Sequence, residues 1–310
     1  MSSSTVMPTT SSSYLSSSVM ENNNHPDRQT FQKFFEFWMV EQEQHRQQLV
    51  SATKHRHGRR TINVAANQTT ASEDEVETVL IPLIDRVMKH YEHYYSAKSK
   101  CAKQDVFGFL SPSWLSSLED AFLWIGGWRP SMAFHLLYSK SGLQLEAIPL
   151  HHLINGISTD DLADLSPRQL VHVDGLQQST IKEEKKITEM MAKHQETVAD
   201  ASMVELSHMV TELIMLKSSH TDSACLNGGG AEVEKERVDT TLALKEEGLE
   251  VILQRADDLR LRTLEAIVND VLTPTQAVHF LIAAAELHLR LHDWGKKREA
   301  QIRCPQNSTT

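Results

Sequence analysis

Thr273-Pro-Thr-Gln-Ala-Val-His-Phe-Leu-Ile-Ala-Ala-Ala-Glu-Leu-His-Leu-Arg-Leu-His-Asp-Trp-Gly295 is the stretch that decides the fold. It opens with a helix-start signal: a hydroxyl cap, proline at the first helical position and glutamine at the third, where its amide can reach back to the cap. Ser166-Pro-Arg-Gln169 uses the same signal a second time. Behind Thr273 the helix carries an apolar face, and His288 and His292 fall one turn apart on it, with about 5–6 Å between their Cβ atoms.

Other segments have the same helical period. Phe31, Phe34, Phe35, Trp38, His45 and Leu49 form an unusually aromatic stripe that starts near Asp27, and residues 56–71 read as a basic, then polar loop. Ser72-Glu-Asp-Glu75 is a capping box. Beyond it Val76, Val79, Leu80, Leu83, Val87, Tyr91 and Tyr94 continue as a stripe that Pro82 should kink or interrupt. Ser116-Ser-Leu-Glu119 is expected to cap a helix through Leu118, Phe122 and Ile125, stopped by Gly126-Gly127, and Trp128-Arg-Pro-Ser131 should start the next, through Phe134, Leu137 and Tyr138 to Gly142.

From Ser166, a long amphipathic helix runs through Leu170, Val173, Ile187 and Met191, breaking near Asp200-Ala-Ser202 and resuming through Val210, Leu213 and Ile214. A loose segment, Ser218 to Ala231, precedes another long helix on Leu242, Leu249, Ile252, Ala256, Leu259, Thr263 and Ile267. No alternating strand with a turn signal is found. The expected fold is all-α, a bundle of roughly seven to nine helices, several of them long, whose stripes bury only against each other.

Composition agrees with this and excludes several classes. Of the 310 residues 40% are hydrophobic and 6% aromatic, a balance that favours helix over strand. The formal net charge of −10 repels nucleic acid and anionic membranes. The local basic runs are Lys54-His-Arg-His-Gly-Arg-Arg60 and, near the C-terminus, Arg290, Lys296, Lys297, Arg298 and Arg303; both lack interleaved aromatics, so direct DNA contact is expected to be weak or absent. Cys101, Cys225 and Cys304 are few, odd and scattered, as in a reducing compartment. Residues 1–26, rich in Ser, Thr and Asn, read as a disordered tail without a secretory signal, and residues 301–310 as a second tail. No apolar run approaches membrane-spanning length.

Nothing in the motifs asks for an enzyme. There is no Gly-rich phosphate loop, no Cys-x-x-Cys pair and no Gly-x-Ser-x-Gly. Glu183-Glu184 and Asp257-Asp258 are sequence-adjacent carboxylates that should splay around their helices as solvated faces. His288 and His292 offer the main ligand chemistry, since two neutral imidazoles on one face can bind a transition metal or meet an iron-porphyrin. A zinc peptidase would need Glu directly after the first histidine, where Leu289 stands.

Several stretches together resemble the Delay of Germination (DOG) domain of plants. They are Phe31 with Trp38-Met-Val-Glu-Gln42, Pro112-Ser-Trp-Leu-Ser-Ser-Leu-Glu-Asp-Ala-Phe-Leu-Trp-Ile-Gly-Gly-Trp-Arg-Pro-Ser131, Leu165-Ser-Pro-Arg-Gln-Leu170, Ala256-Asp-Asp-Leu-Arg260 and Leu287-His-Leu-Arg-Leu-His-Asp-Trp-Gly295. The resemblance covers residues 27–300, and its most specific piece is Trp124 to Ser131. The domain also forms the C-terminal half of TGA-class bZIP factors, but no basic helix or heptads precede it here, so the chain resembles the stand-alone branch.

That resemblance implies a non-enzymatic regulator of dormancy, germination or seed maturation in abscisic-acid signalling, acting in the nucleus, with the cytoplasm as a second location. It further implies clade A type 2C protein phosphatases as partners and haem bound by His288 and His292. Axial ligands in trans lie on opposite porphyrin faces, so at most one of two histidines from one helix is axial; the other would orient it or bond a propionate. Phe31, Phe34, Phe35 and Trp38 become a partner-binding face by helix-in-groove contact, or else bundle core, and Lys33 and Phe37 stand where the resemblance expects an acidic residue. Arg129 should pair internally. The alternative is a transcriptional regulator that acts with DNA-bound transcription factors; a haem enzyme is disfavoured because a distal acid/base pair is not recognisable, and a homodimer is left open.

Overall fold

A computed structural model describes residues 26–66, 76–141, 165–219 and 229–303. The α-helices among them are α1 (Pro26–Ala66), α2 (Ile81–Ala102), α3 (Val106–Leu110), α4 (Ser117–Asp120), α5 (Met132–Lys140), α6 (Pro167–Glu196), α7 (Ala201–Ser219), α8 (Gly229–Glu265) and α9 (Pro274–Arg303). Two π-helical turns, Val76–Leu80 and Ala266–Val271, precede α2 and α9. No strand occurs among the described residues, apart from an isolated bridge between Trp124 and Gly127. The fold is all-α, as the periodicity predicts.

Both proline-marked starts form as read. Ser166 and Gln169 make a reciprocal capping box, and Gln169 also reaches Gln276 at 2.6 Å, which joins the start of α6 to that of α9. At the second start Gln276 accepts from the Thr273 amide at 3.0 Å and donates its own amide to the Thr273 hydroxyl. The expected break after α6 is present: Asp200 accepts from Ser202 and the Met203 amide to restart the chain as α7, and Lys245 of α8 pairs with it at 2.5 Å.

Several expectations are corrected. The loop at 56–71 is helical up to Ala66, because nothing in that run forces a stop. Ser72–Glu75 and Gly142 lie outside the described residues, as do the expected tails at 1–26 and 301–310 except for Pro26 and Gln301–Arg303, which are helical. Pro82 interrupts the stripe as expected: the π-turn Val76–Leu80 ends just before it, and it sits in the first turn of α2, where its missing N–H costs nothing. Gly229 and Gly230, assigned to a loose segment, already belong to α8.

The largest correction concerns Ser116. Its capping box is present, but α4 ends at Asp120 and the chain turns, leaving Phe122 60% exposed. Trp124 and Gly127 then bond each other in both directions, at 2.7 and 3.3 Å, around Ile125 (φ 47°) and Gly126 (φ 67°). Such a turn needs a left-handed backbone at both central positions, easy for Gly126 and costly by about 1–2 kcal/mol for Ile125.

Arg260 of α8 is what holds the turn. Its guanidinium is fully buried and donates to the carbonyls of Trp124, Ile125 and Trp128. It also pairs with Asp257 at 2.6 Å, and the Lys98 ammonium joins Asp257 at 2.9 Å and the Gly126 carbonyl at 2.7 Å. Gly127 is required because a Cβ there would lie 2.8 Å from the Arg260 guanidinium carbon. Arg129 pairs internally as expected, with Glu184 at 2.8 Å.

The adjacent carboxylates do splay, but one of each pair is not solvated: Glu184 and Asp257 are buried ion-pair partners while Glu183 and Asp258 face out. A buried carboxylate persists where cations and N–H donors meet it, and both have them.

The core lies where α1, α2, α5, the end of α8 and α9 meet. Phe31, Phe35 and Trp38 are 1–2% exposed, and Phe34 is partly buried against the same cluster. The structure gives this aromatic face to the bundle interior, so Phe31, Phe34, Phe35 and Trp38 could anchor a partner only if the bundle opened. Phe37 and Val40 face outward on the same helix.

An apolar cavity beneath the histidine pair

Helices α1, α2, α5, α8 and α9, with the segment from Phe109 to Trp128, line an apolar cavity of about 210 Å³ that opens to solvent beside Phe122. Phe35 and Trp38 enter it from α1, Tyr94 and Lys98 from α2, Arg260 from α8 and His288 from α9. α9 delivers His288 because the apolar face that begins at Ala277 and Val278 is sealed against the core, so the residue three turns on is carried inward with it.

The two histidines are placed unequally. His288 lines the cavity, its ring 5.5 Å from the Trp38 ring centroid, and no hydrogen-bond partner takes its nitrogens among the described residues. Desolvation holds its pKa down at about 4, with Glu119 opposing the shift, so at neutral pH it is an uncharged imidazole. His292 instead places Nδ1 2.8 Å from Glu119 Oε1. Glu119 is kept ionised by that contact and by the Ser116 hydroxyl and amide, which together outweigh its burial. The two rings are used differently: one faces the cavity and the other ties α9 to α4.

A second histidine cluster lies beside the first. His90 stacks on Trp38 at 4.6 Å and meets His45 edge-on at 4.7 Å, and the Trp38 indole N–H donates to the His90 carbonyl. Burial, with His45 and His93 nearby, lowers His90 to about 4. No group of three or more metal-binding side chains occurs among the described residues.

Comparison with known proteins places this geometry. The family model described as "Seed dormancy control" matches residues 60–139. Protein DOG1-like 3 of Arabidopsis thaliana is 33% identical over 71% of this chain and 73% of its own length. Protein DOG1-like 4 of the same plant is 30% identical over 86% and 93%. The chain belongs to the DOG1-like family. Arabidopsis transcription factor TGA6 is 30% identical over 69% of this chain but only 53% of its own, so the DOG1-like fold is what the two share.

The family match at 60–139 spans α2 to α5 and so covers Tyr94, Lys98, Glu119 and the Trp124–Gly127 turn, while His288 and His292 lie beyond it. Sequence reading found the two histidines but missed Lys98, Tyr94 and Arg260 as cavity groups. Tyr94 was visible as a stripe residue, Arg260 as part of a family piece, and Lys98 had no signal, because a lysine on an amphipathic helix reads as solvated. Glu119 was read as a cap residue, which it is; that its other oxygen holds His292 depends on α9 crossing α4.

Acid should destabilise this DOG1-like bundle before its carboxylates titrate. His90 and His288 have folded pKa values of about 4 against an ordinary 6.5, so the unfolded chain takes up protons first. Their contribution is complete above about pH 6.5 and is lost as pH falls toward 4, at up to roughly 1.4 kcal/mol per pH unit for each group. Melting followed by circular dichroism from pH 7.5 to 4.5 should show this fall, and His288→Phe should flatten it. An unchanged slope in the variant would refute the burial argument.

Proposed function

We propose that this chain is a non-enzymatic regulator of seed dormancy and abscisic-acid response, working as a helical interaction module with haem as its ligand. The regulatory part rests on its DOG1-like relatives and on Arabidopsis "Protein RESPONSE TO ABA AND SALT 1", 23% identical over 89% of this chain. The ligand part rests on one observation: His288 is a neutral, unbonded imidazole facing an apolar, aromatic-lined cavity.

The donor chemistry fits a haem iron, which accepts a neutral histidine. His288 would hold the haem iron, and His292, held by Glu119, would position α9. At about 210 Å³ the cavity is smaller than the roughly 300–1,000 Å³ of typical ligand sites, so a whole porphyrin does not fit inside it as it stands and would reach His288 only from the open side, where Phe122 and Met132 are exposed. Bound haem would supply a redox- or gas-sensitive iron. This chain's part is to present one nitrogen and exclude water around it.

Hemin titration tests the reading. A Soret band is expected with the native chain, its loss in His288→Ala, and a weaker but retained band in His292→Ala. The opposite ranking would move the iron-holding role to His292, whose Glu119 contact is the carboxylate support that metal-bound imidazoles have. A full band in the double variant would end the haem reading.

A clade A type 2C protein phosphatase is the partner proposed from the family resemblance, and Phe37 and Val40, rather than the buried rings, are large apolar α1 side chains open to it. Nuclear action is supported by the TGA6 and TGA2 relatives. Partnership with DNA-bound factors fits better than direct reading of DNA: Lys296, Lys297 and Arg298 are exposed, but Lys297 is already paired with Asp293 at 2.6 Å. No helix among the described residues is long and apolar enough to cross a membrane.

A further inference from the structure

We infer that the cavity is a binding site for a small apolar carboxylate whose head group is received by Lys98 and Tyr94. This goes beyond the haem reading and stands without it, since it uses neither histidine as a metal ligand.

Size sets the first limit. An engineered apolar cavity of about 150 Å³ takes up benzene, so about 210 Å³ suits a molecule of two fused rings or some ten carbons. Aromatic and aliphatic side chains dominate the walls and offer such a body dispersion contacts.

Charge sets the second. Lys98 and Arg260 both line the cavity and are both buried, at 2% and 0% exposure, yet they share a single carboxylate, Asp257. Carbonyl oxygens of the Trp124–Trp128 turn supply dipoles but no second negative charge. Glu119 also reaches the cavity wall, but its oxygens are taken by His292 and Ser116. One buried cation is therefore in excess, which is costly without a counter-ion.

Hydrogen bonding sets the third. An ammonium has three N–H donors, and Lys98 gives two, to Gly126 and Asp257, so one remains. The Tyr94 hydroxyl takes no hydrogen bond among the described residues, and its phenol is pushed well above its ordinary pKa by burial, so it stays a neutral donor. Lys98, lowered to about 8 by burial, remains largely charged at neutral pH. Two unused donors and one unmatched positive charge in an apolar chamber call for a carboxylate with an apolar body.

The full chain, titrated with 1-naphthoate and with 1-naphthalenemethanol, decides the matter. Binding is read by quenching of tryptophan fluorescence, since Trp38, Trp114 and Trp128 line the cavity. The acid should bind about tenfold more tightly than the alcohol, as expected of a charge-assisted hydrogen bond. Lys98→Met should erase that preference. Should Lys98→Met fail to fold by circular dichroism, Tyr94→Phe, which removes one hydroxyl, should weaken the acid several-fold and the alcohol little. Ala284→Phe, which fills the cavity, should abolish both. No binding by the native chain, or equal binding of acid and alcohol, overturns the inference; so does an unchanged preference in a folded Lys98→Met or Tyr94→Phe.

Discussion

Arg260→Ala is expected to be the most damaging single substitution in the described bundle, lowering stability by about 3–5 kcal/mol or more. The guanidinium is fully buried and serves four acceptors: the Trp124, Ile125 and Trp128 carbonyls and the Asp257 carboxylate. Truncation strands the carbonyls in a dry site, at about 1–3 kcal/mol for each that water cannot reach. It also removes the clamp on a turn whose Ile125 is in the left-handed region. Total stability of a domain is about 5–15 kcal/mol, so the variant should be largely unfolded or melt far below the native chain. Arg262→Ala, exposed two residues further along α8, should change the urea midpoint by no more than about 0.5 kcal/mol equivalent. Similar midpoints for the two variants would show that the Arg260 network contributes little.

Trp38→Ala should come second, at about 3–5 kcal/mol. Its ring is 2% exposed, stacked on His90, with Tyr91 and Tyr94 packed at 5.7 and 4.9 Å, and its N–H is satisfied by the His90 carbonyl. The cavity it lines would grow, and the contacts of His90 and His288 would loosen. Phe37→Ala, at a ring 74% exposed one position earlier, should leave the melting temperature nearly unchanged. If Trp38→Ala melts like the native chain but loses a protein partner, the ring is a docking anchor and its burial here belongs to a bundle that opens on binding. The paired measurement separates core from interface at adjacent residues.

Much of the helical architecture was legible before any coordinates, for local reasons. Ser166-Pro-Arg-Gln169 and Thr273-Pro-Thr-Gln276 each bring cap, fixed φ and reach-back amide within four residues, so helix starts there need no tertiary help. Stripes such as Ile252, Ala256, Leu259, Thr263 and Ile267 of α8 and the following turn are buried as the 3.6-residue period requires. Where the local signal was weak the reading went astray: residues 56–66 continue α1, and Ser116-Ser-Leu-Glu119 starts a helix that lasts a single turn.

The site divides the same way. One chain of residues is enough to put His288 and His292 on a common face, because that follows from four residues of helical rise. Which of them meets a cavity, and which is drawn to Glu119, was settled by α9 crossing α4, a contact between residues 173 apart. The aromatic stripe of α1 was equally fit for a core or a partner groove until α2 and α9 covered it. Lys98 of α2 meets Asp257 of α8, 159 residues on, beside Arg260 of the same helix, and each alone reads as a solvated charge. Local spacing determines secondary structure and facing because those depend on nearest neighbours in the chain; burial, pKa and cavity shape depend on which distant surfaces exclude water together, and only the packed bundle decides that.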